Sequence, residues 1–553
     1  MNLLKNFKRI LLSSAAILIY LSINLNIVQA GDNRSDEFIV RIGILSEVKS
    51  IDMSVLKGEW KIQDKEGENI ETLKEKDKIK IELKDGATLP DLSYRIVLLT
   101  TSDIDTAVQK FEAFKKQYGE ENLLMIKHGK RIELGDKVLK DNLKWNIAFG
   151  KFDKESDAQK SLGSVKGESI LKDQSVRGRG KFIIQIESPT AKKIEVEDRL
   201  RLIPRETGAR IKIKDVEFGK GWQWEGKESR DYEGNLEVYI DKKGKISVTD
   251  EITIEKYLCG VVPAEIGDDS HKEALKAQAV CARSETLAKV ISEVHPKDNF
   301  DLCADVHCQV YSGVGKETST CNAAIEECAG EILVYEGKIV DAVYSSNCGG
   351  HTENTEDVWA SDPEPYLRGI LDVENPKKNE EFLSLQKDDV LKKWIESPPL
   401  DIFCSASQKG MPNWAKPNFR WTKKFSGSEL EKLINKKYSV GKIKDIKLGE
   451  RGVGGRLKEI TVIGENKTVT IKKELTIRQA IGNLPSAAFI VKKMDKEGNY
   501  ISELILQGSG WGHGVGMCQM GTRIRAIKGQ NYKEIIKSYF LGSELKNIYT
   551  GNF

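Results

Sequence analysis

A chain of 553 residues with 87 Lys and Arg against 84 Asp and Glu has room for two to four domains and ample core. The formal charge of +3 is spread over many lysines and glutamates, which excludes the strongly basic footprint of a nucleic-acid binder. Nine cysteines, an odd number, leave at least one that cannot pair within the chain.

Residues 1–30 place Lys5, Lys8 and Arg9 before an apolar run from Ile10 to Val28 that closes on VQA and Gly31. A basic start, an apolar middle and a small-residue end describe a secretory signal, so export is expected. Ser22, Asn24 and Asn26 weaken the run as a membrane span, although an uncleaved anchor in contact with the membrane stays open. Residues 31–90 read as a β-rich segment: FIVRIGIL is a strand, and KIKIELKDGATL alternates as hairpin strands around a DG turn. In 91–180 the strand YRIVLLTT is followed by the helical DTAVQKFEAFKKQYG, and KWNIAFGKFDKESDAQKSL repeats the plan. Two such units, each strand bearing an aromatic, resemble SPOR domains, which bind glycan stripped of its peptides. An ordinary small α+β domain fits the same pattern. Residues 181–250 are β-rich again, and Trp222 and Trp224 in GKGWQWEG are either a platform for a sugar face or hairpin packing.

The stretch from Tyr257 to Gly313 carries the chemistry. YLCGVV reads as a strand or short helix stopped by Pro263, with Glu265 at the turn that follows. Asp269 or Ser270 is expected to cap a helix starting near His271. From Glu273 to Ala288 that helix is rich in Ala, Leu, Lys and Glu. Ala274, Ala277, Cys281 and Ser284 lie along one side, with Leu275, Ala279, Ala282 and Thr286 on the next. Small residues on adjoining faces predict a buried helix, while Glu285 is expected in solvent. A carboxyl held at the edge of such a helix suits general acid–base work, although most glutamates are only solvated. Cys303, His307 and Cys308 fall within six residues, with His295 eight positions earlier. These are zinc-ligand types, and a disulfide or a buried thiol is the alternative.

VVPAEI, EALKAQAVCAR and FDLCADVHCQVYSG, followed by YSSNCGGHTENTEDVW at 344–359 and GWGHGVGMCQMG at 510–521, resemble the stage II sporulation protein D and LytB amidase-enhancer family. The resemblance covers 251–553, within which 377–438 reads as an insertion, helical and surface-like. It implies an α+β fold of mixed sheets with the alanine-rich helix buried at the catalytic core, behind smaller β-rich or α+β amino-terminal domains. It also implies lytic transglycosylase activity on peptidoglycan glycan strands, in sporulation or wall remodelling, with Glu265 as the catalytic acid. His295, Cys303, His307 and Cys308 are its expected zinc ligands, a structural set, since four protein donors leave no place for water. His351 with Gly349 and Gly350, and His513 with Gly512 and Gly514, are candidate glycan-binding positions. Satisfaction by local backbone bonds is the alternative for each histidine.

Asp268, Asp269, Glu353, Glu356 and Asp357 are available as a second carboxylate should the reaction be a hydrolysis. The other reading is a non-catalytic enhancer that binds glycan and positions a cell-wall amidase. In either case the protein is expected outside the cell, in the wall or anchored facing it. Cys259 and Cys281 are a private disulfide or buried thiols, and Cys321, Cys328, Cys348, Cys404 and Cys518 are unassigned.

Overall fold

The computed structural model describes residues 37–550 apart from 90, 91, 130, 135, 136, 175, 176 and 188–190. The expected signal or anchor at 1–30 lies outside the described residues. Period-two alternation builds the first half: in KIKIE the side chains of Ile79 and Ile81 are buried, with Lys80 between them. One sheet runs, strand beside strand, through Asn69–Leu73, Trp60–Gln63, Arg199–Pro204, Asn235–Ile240, Ile246–Thr253 and Ile39–Val48. The two-residue strand Leu302–Cys303 adds to Ile39–Val48 in parallel. A second sheet runs through Lys192–Glu197, Arg179–Glu187, Lys78–Thr88, Ser50–Lys57, Arg210–Phe218 and Gly226–Tyr232. Ile42, Trp60 and Val248 of the first and Ile81, Phe182 and Ile213 of the second share one core. The β-rich stretches 31–90 and 181–250 are therefore one body, because neither has the strands to cover its own apolar face.

The α+β segment is inserted between those stretches. Its strands lie in the order Ser169–Gln174, Leu92–Thr101, Lys144–Phe152, Leu123–His128. The helices Ile104–Tyr118 and Glu155–Leu162 belong to it, and Ile96, Leu98, Leu123, Ile147 and Ala158 form a separate small core. The two strand–helix units are present as read from the sequence.

Strand Ile246–Thr253 leads directly into the helix Ile254–Ile266, here termed the acid helix, and then into Lys272–Ser292, the alanine helix. All eight small or apolar positions named on the two faces of the alanine helix are buried. The α+β class, with this helix at the core, is what the chain adopts. Beyond it, the sheets Arg420–Ser426, Tyr500–Ser509, Phe489–Glu497 and Ile443–Leu448, Glu459–Gly464, Thr468–Lys472 share a core that includes Leu430, Ile434 and Trp421. The segment 377–438 is thus not a helical surface insertion. Phe382, Leu391, Trp394, Phe419 and Trp421 are buried, and Arg420–Ser426 pairs with Tyr500–Ser509.

Candidate active site

Pro263 does not stop the acid helix. It sits inside the last turns, and Glu265 belongs to the helix instead of following it. Two features hold this helix in place. Gly260, where a Cβ would collide with the Gly313 carbonyl and the Tyr311 ring, lets the segment 310–313 lie against the helix. There the Ser312 N–H donates to the Gly260 carbonyl at 3.3 Å. At the far end, the helix is closed by Gly267 at φ +86° and by Arg523, whose guanidinium donates to the Ile266 carbonyl at 2.9 Å. Arg523 also binds Asp269 at 2.8 Å and Ser270 Oγ at 2.7 Å. Both expected caps are thereby occupied, and the alanine helix is capped instead by His271, whose Nδ1 accepts from the Glu273 N–H.

The same close approach serves Glu265. The Val310 N–H donates to its Oε1 at 2.7 Å, and the Gln519 amide donates to Oε2 at 3.2 Å. Glu265 is half-buried. Burial pushes its carboxyl up to about 7, helped by the charge of Glu285 and opposed by the Val310 and Gln519 donors and by Lys289. Glu285 itself is buried, not solvated, bound by Lys289 at 2.7 Å and by the Gln309 amide at 2.8 Å. Position on the alanine helix alone did not show that Gln309 would reach this face. Gln309 also accepts from Tyr257 Oη at 3.0 Å and Thr286 Oγ1 at 2.9 Å, so it pins its loop to both helices. Asp341 is pushed up by burial and by Glu285. The Tyr344 phenol, raised by burial and then by Glu265, has a hydroxyl with no partner among the described residues.

The loop that supplies Val310 and Gln309 also brings His295, Cys303, His307 and Cys308 together, with all four donor atoms within 4.8 Å of one another. His295 Nε2 is 3.2 Å from Cys308 Sγ, and His307 Nδ1 is 3.4 Å from it and 3.8 Å from Cys303 Sγ. The other ring nitrogen of His295 faces Asp298 at 3.1 Å, the kind of orienting contact a metal-ligating imidazole takes. Cys303 is carried on the edge of the first sheet, beside Gly43. Cys259 and Cys281 are separate buried thiols, the first against the Glu255 carbonyl and the second 3.6 Å from Met517 Sδ.

The glycine motifs divide. Gly349, Gly350 and His351 are buried, not open to a polymer. The Gly349 carbonyl accepts from Trp394 Nε1 and from Arg420, and a Cβ on Gly350 would meet the Trp394 ring. Both ring nitrogens of His351 lie against main-chain oxygens, those of Thr352 at 2.7 Å and Leu383 at 3.1 Å. Packing of the 377–438 segment over this motif is what encloses it. His513 is half-buried and fixed: Nε2 donates to the Tyr344 carbonyl at 2.9 Å, and Nδ1 accepts from the Val515 N–H at 3.1 Å. Burial holds its pKa down to about 3, so the ring is neutral. Gly514 is buried where a Cβ would strike the Arg456 guanidinium, whereas Gly512, at φ +100°, is half-buried.

Beside His513 runs a ledge of indoles. Trp222 and Trp224 stack at 5.0 Å, Trp224 reaches Trp511 at 5.8 Å, and Trp359 lies 5.0 Å from His513. Trp224 is 40% and Trp359 39% exposed. The loop bearing Trp222 and Trp224 is tied to the cysteine–histidine loop, since the Gly219 and Lys220 N–H groups donate to Asp305. One motif thus carries Trp511 at one end and Gln519, on Glu265, at the other. Of the candidate second carboxylates, Glu353 is fully enclosed, Glu356 pairs with Arg368 and Asp357 with Lys458. Asp269 pairs with Arg523, and Asp268 is exposed.

Residues 242–335 match the family model described as Stage II sporulation protein, and 353–516 match a domain of unknown function, DUF8618. An uncharacterized protein of Brachyspira hyodysenteriae is 30% identical over 351 residues, covering 63% of this chain and 81% of that protein. Stage II sporulation protein D of Bacillus subtilis is 28% identical over 317 residues, 54% of this chain and 75% of the relative. The chain belongs to the stage II sporulation protein D and LytB amidase-enhancer family. A further member, the Amidase enhancer of Bacillus subtilis, is 29% identical over 307 residues, 52% of this chain but only 40% of that longer protein. The family model spans both helices and the cysteine–histidine loop, whereas the indole ledge and Gln519 lie beyond it.

Proposed function

We infer that this protein is a lytic transglycosylase that cleaves peptidoglycan glycan strands, with Glu265 as its acid and then its base. The observation that carries the reading is a half-buried carboxyl held by two donors with its pKa raised to about 7. A group that titrates near neutrality both gives and takes a proton there. Protonated Glu265 gives its proton to the glycosidic oxygen between N-acetylmuramic acid and N-acetylglucosamine as the C1–O bond breaks. The resulting carboxylate takes the proton of the C6 hydroxyl as that oxygen bonds to C1. A 1,6-anhydro ring closes, no water is consumed, and Glu265 ends protonated as it began. The Val310 and Gln519 donors hold the carboxylate between the two steps. Sugar faces would stack on the ledge of Trp222, Trp224 and Trp511.

The donor set of His295, Cys303, His307 and Cys308 fits a zinc ion, with two sulfurs and two imidazole nitrogens clustered as a tetrahedral site requires. Zinc bound there would cross-link the loop, which Gln309 ties to both helices and from which Val310 holds Glu265. Work on the wall also accords with export directed by residues 1–30. The relative named Amidase enhancer favours a second reading, in which the ledge binds glycan and the chain positions an amidase without cutting.

Digestion of peptide-free glycan strands in oxygen-18 water separates these readings. New ends lighter by one water and free of the label are expected. Labelled reducing ends would make the enzyme a hydrolase, and intact strands would leave the enhancer reading.

A further inference from the structure

Three cysteines from distant parts of the chain meet in the interior, away from the cysteine–histidine loop. Cys348 lies in the first glycine motif, Cys518 in the second, and Cys404 in the irregular stretch before Arg420–Ser426. With Asp372 they form a wholly buried group whose ligand atoms all lie within 4.8 Å of one another. We propose that Cys348, Cys404, Cys518 and Asp372 form a second structural zinc site, which staples the segment around Cys404 to both glycine motifs.

Geometry supports a metal over a disulfide. The Cys348 and Cys404 sulfurs are 3.7 Å apart, the edge of a tetrahedron about a centre with zinc–sulfur bonds of about 2.3 Å. A disulfide needs a separation of about 2.05 Å, and it would leave the third thiol without a partner. Two of the three sulfurs are also arranged as acceptors. The Gly350 N–H donates to Cys348 Sγ at 3.3 Å, while Cys518 Sγ accepts from Cys348 N–H at 3.2 Å and Gly521 N–H at 3.3 Å. Amide donors aimed at sulfur favour thiolate, the form that binds metal. Asp372 is oriented in the same way. Arg525 binds its Oδ1 at 2.8 Å, the Tyr539 hydroxyl lies 3.1 Å from both oxygens, and Oδ2 faces Cys348 Sγ at 3.5 Å.

The charge around the group suits ionised sulfurs. The Arg420 guanidinium is turned inward and donates to the main-chain oxygens of Ile395, Gly349, Phe419 and Trp394. No carboxylate pairs with it among the described residues, and the Gly349 carbonyl it binds follows Cys348 directly in the chain. Those four carbonyls and the Phe419 ring 3.9 Å away receive its charge, and ionised sulfurs nearby would add to them. Three thiolates and one carboxylate are balanced by Arg420, Arg525 and one divalent ion. Sulfur-dominated tetrahedral coordination selects zinc over calcium or magnesium.

The test is zinc counted by mass spectrometry of elements on the full chain, purified and exchanged against a mild chelator. Wild type is compared with Cys404→Ser, Asp372→Asn and, as a marker of the other loop, Cys308→Ser. Cys404→Ser is expected to lose one equivalent of zinc relative to wild type, and Cys308→Ser a different one, so that the double variant loses both. Should the buried variants fail to fold, the zinc absorption edge of wild type decides. An average of about 2.5 sulfurs per zinc is expected for one two-sulfur and one three-sulfur site. Wild-type zinc content in Cys404→Ser, an average of two sulfurs, or recovery of a Cys348–Cys404 disulfide would overturn the proposal.

Discussion

Glu265 and Glu353 show how little a shifted pKa says by itself. Burial raises both carboxyls to about 7. Glu353 has no exposure, and it accepts from the N–H groups of Asn354, Gly454 and Arg456, with the Arg456 charge close by. Every lone pair has a task inside the fold. Glu265 has two donors, a surface that is only partly covered, and a motif that leads from its partner Gln519 to a partly exposed row of indoles. The first arrangement joins loops together, and the second leaves a carboxyl partly open to solvent. Access and neighbouring surface, more than acidity, separate the two.

Isosteric substitution at each site sharpens the contrast and carries the largest expected effects. Glu265→Gln should lower glycan cleavage about 10²–10⁴-fold, the worth of general acid–base help, while melting normally. Glu353→Gln should leave cleavage per folded molecule unchanged and cost about 1–3 kcal/mol in urea unfolding. The cost arises because the new amide must turn a donor toward the Arg456 or Gly454 N–H. Comparable cleavage losses in both would erase the distinction. Glu285→Gln is not a neutral control, since Glu285 is buried among Gln309 and Lys289.

The pH profile is the next largest effect. A folded pKa near 7 means that Glu265 is protonated below and ionised above that value. The acid form starts the reaction, so cleavage should fall tenfold per pH unit above about 7. A profile flat to pH 9 would remove Glu265 as the proton donor. For stability the sign is also set: a carboxyl raised from its ordinary 4.5 favours folding in its protonated form. The Glu353 contribution should therefore weaken as pH rises from about 4.5 to 7, and Glu353→Gln should flatten that part of the curve.

Smaller effects test the access side. Trp224→Ala should raise the half-saturating glycan concentration about 2- to 10-fold with kcat little changed, from loss of a stacking worth about 0.5–1.5 kcal/mol. Gln519→Ala removes a donor that favours ionised Glu265, so the alkaline limb should move to higher pH by less than about one unit. A shift to lower pH would mean that Gln519 does not act on the charged form.

The clustering of His295, Cys303, His307 and Cys308 and the burial of the alanine helix were legible in the sequence, because each is a local pattern of residue types. The helix around Pro263 was not legible, since the contacts that hold it come from distant segments, 310–313 and Arg523. Gln309 and Gln519, the amides that hold the site, looked like ordinary polar residues until distant segments met. Gly349, Gly350 and His351 read as exposed positions because nothing in their motif shows that Trp394 and Arg420 cover it. Cys348, Cys404 and Cys518 have no metal-binding spacing, and only the fold brings them together. The two β-rich stretches looked serial because strand pairing across an inserted domain leaves no mark in either stretch.

The most direct test places wild type and Glu265→Gln on the same purified, peptide-free glycan, with pelleting and product mass read from one sample. Both proteins should pellet with the glycan equally, and only wild type should release fragments ending in 1,6-anhydro-N-acetylmuramic acid. Fragments of that kind from Glu265→Gln at near wild-type rate would contradict the account.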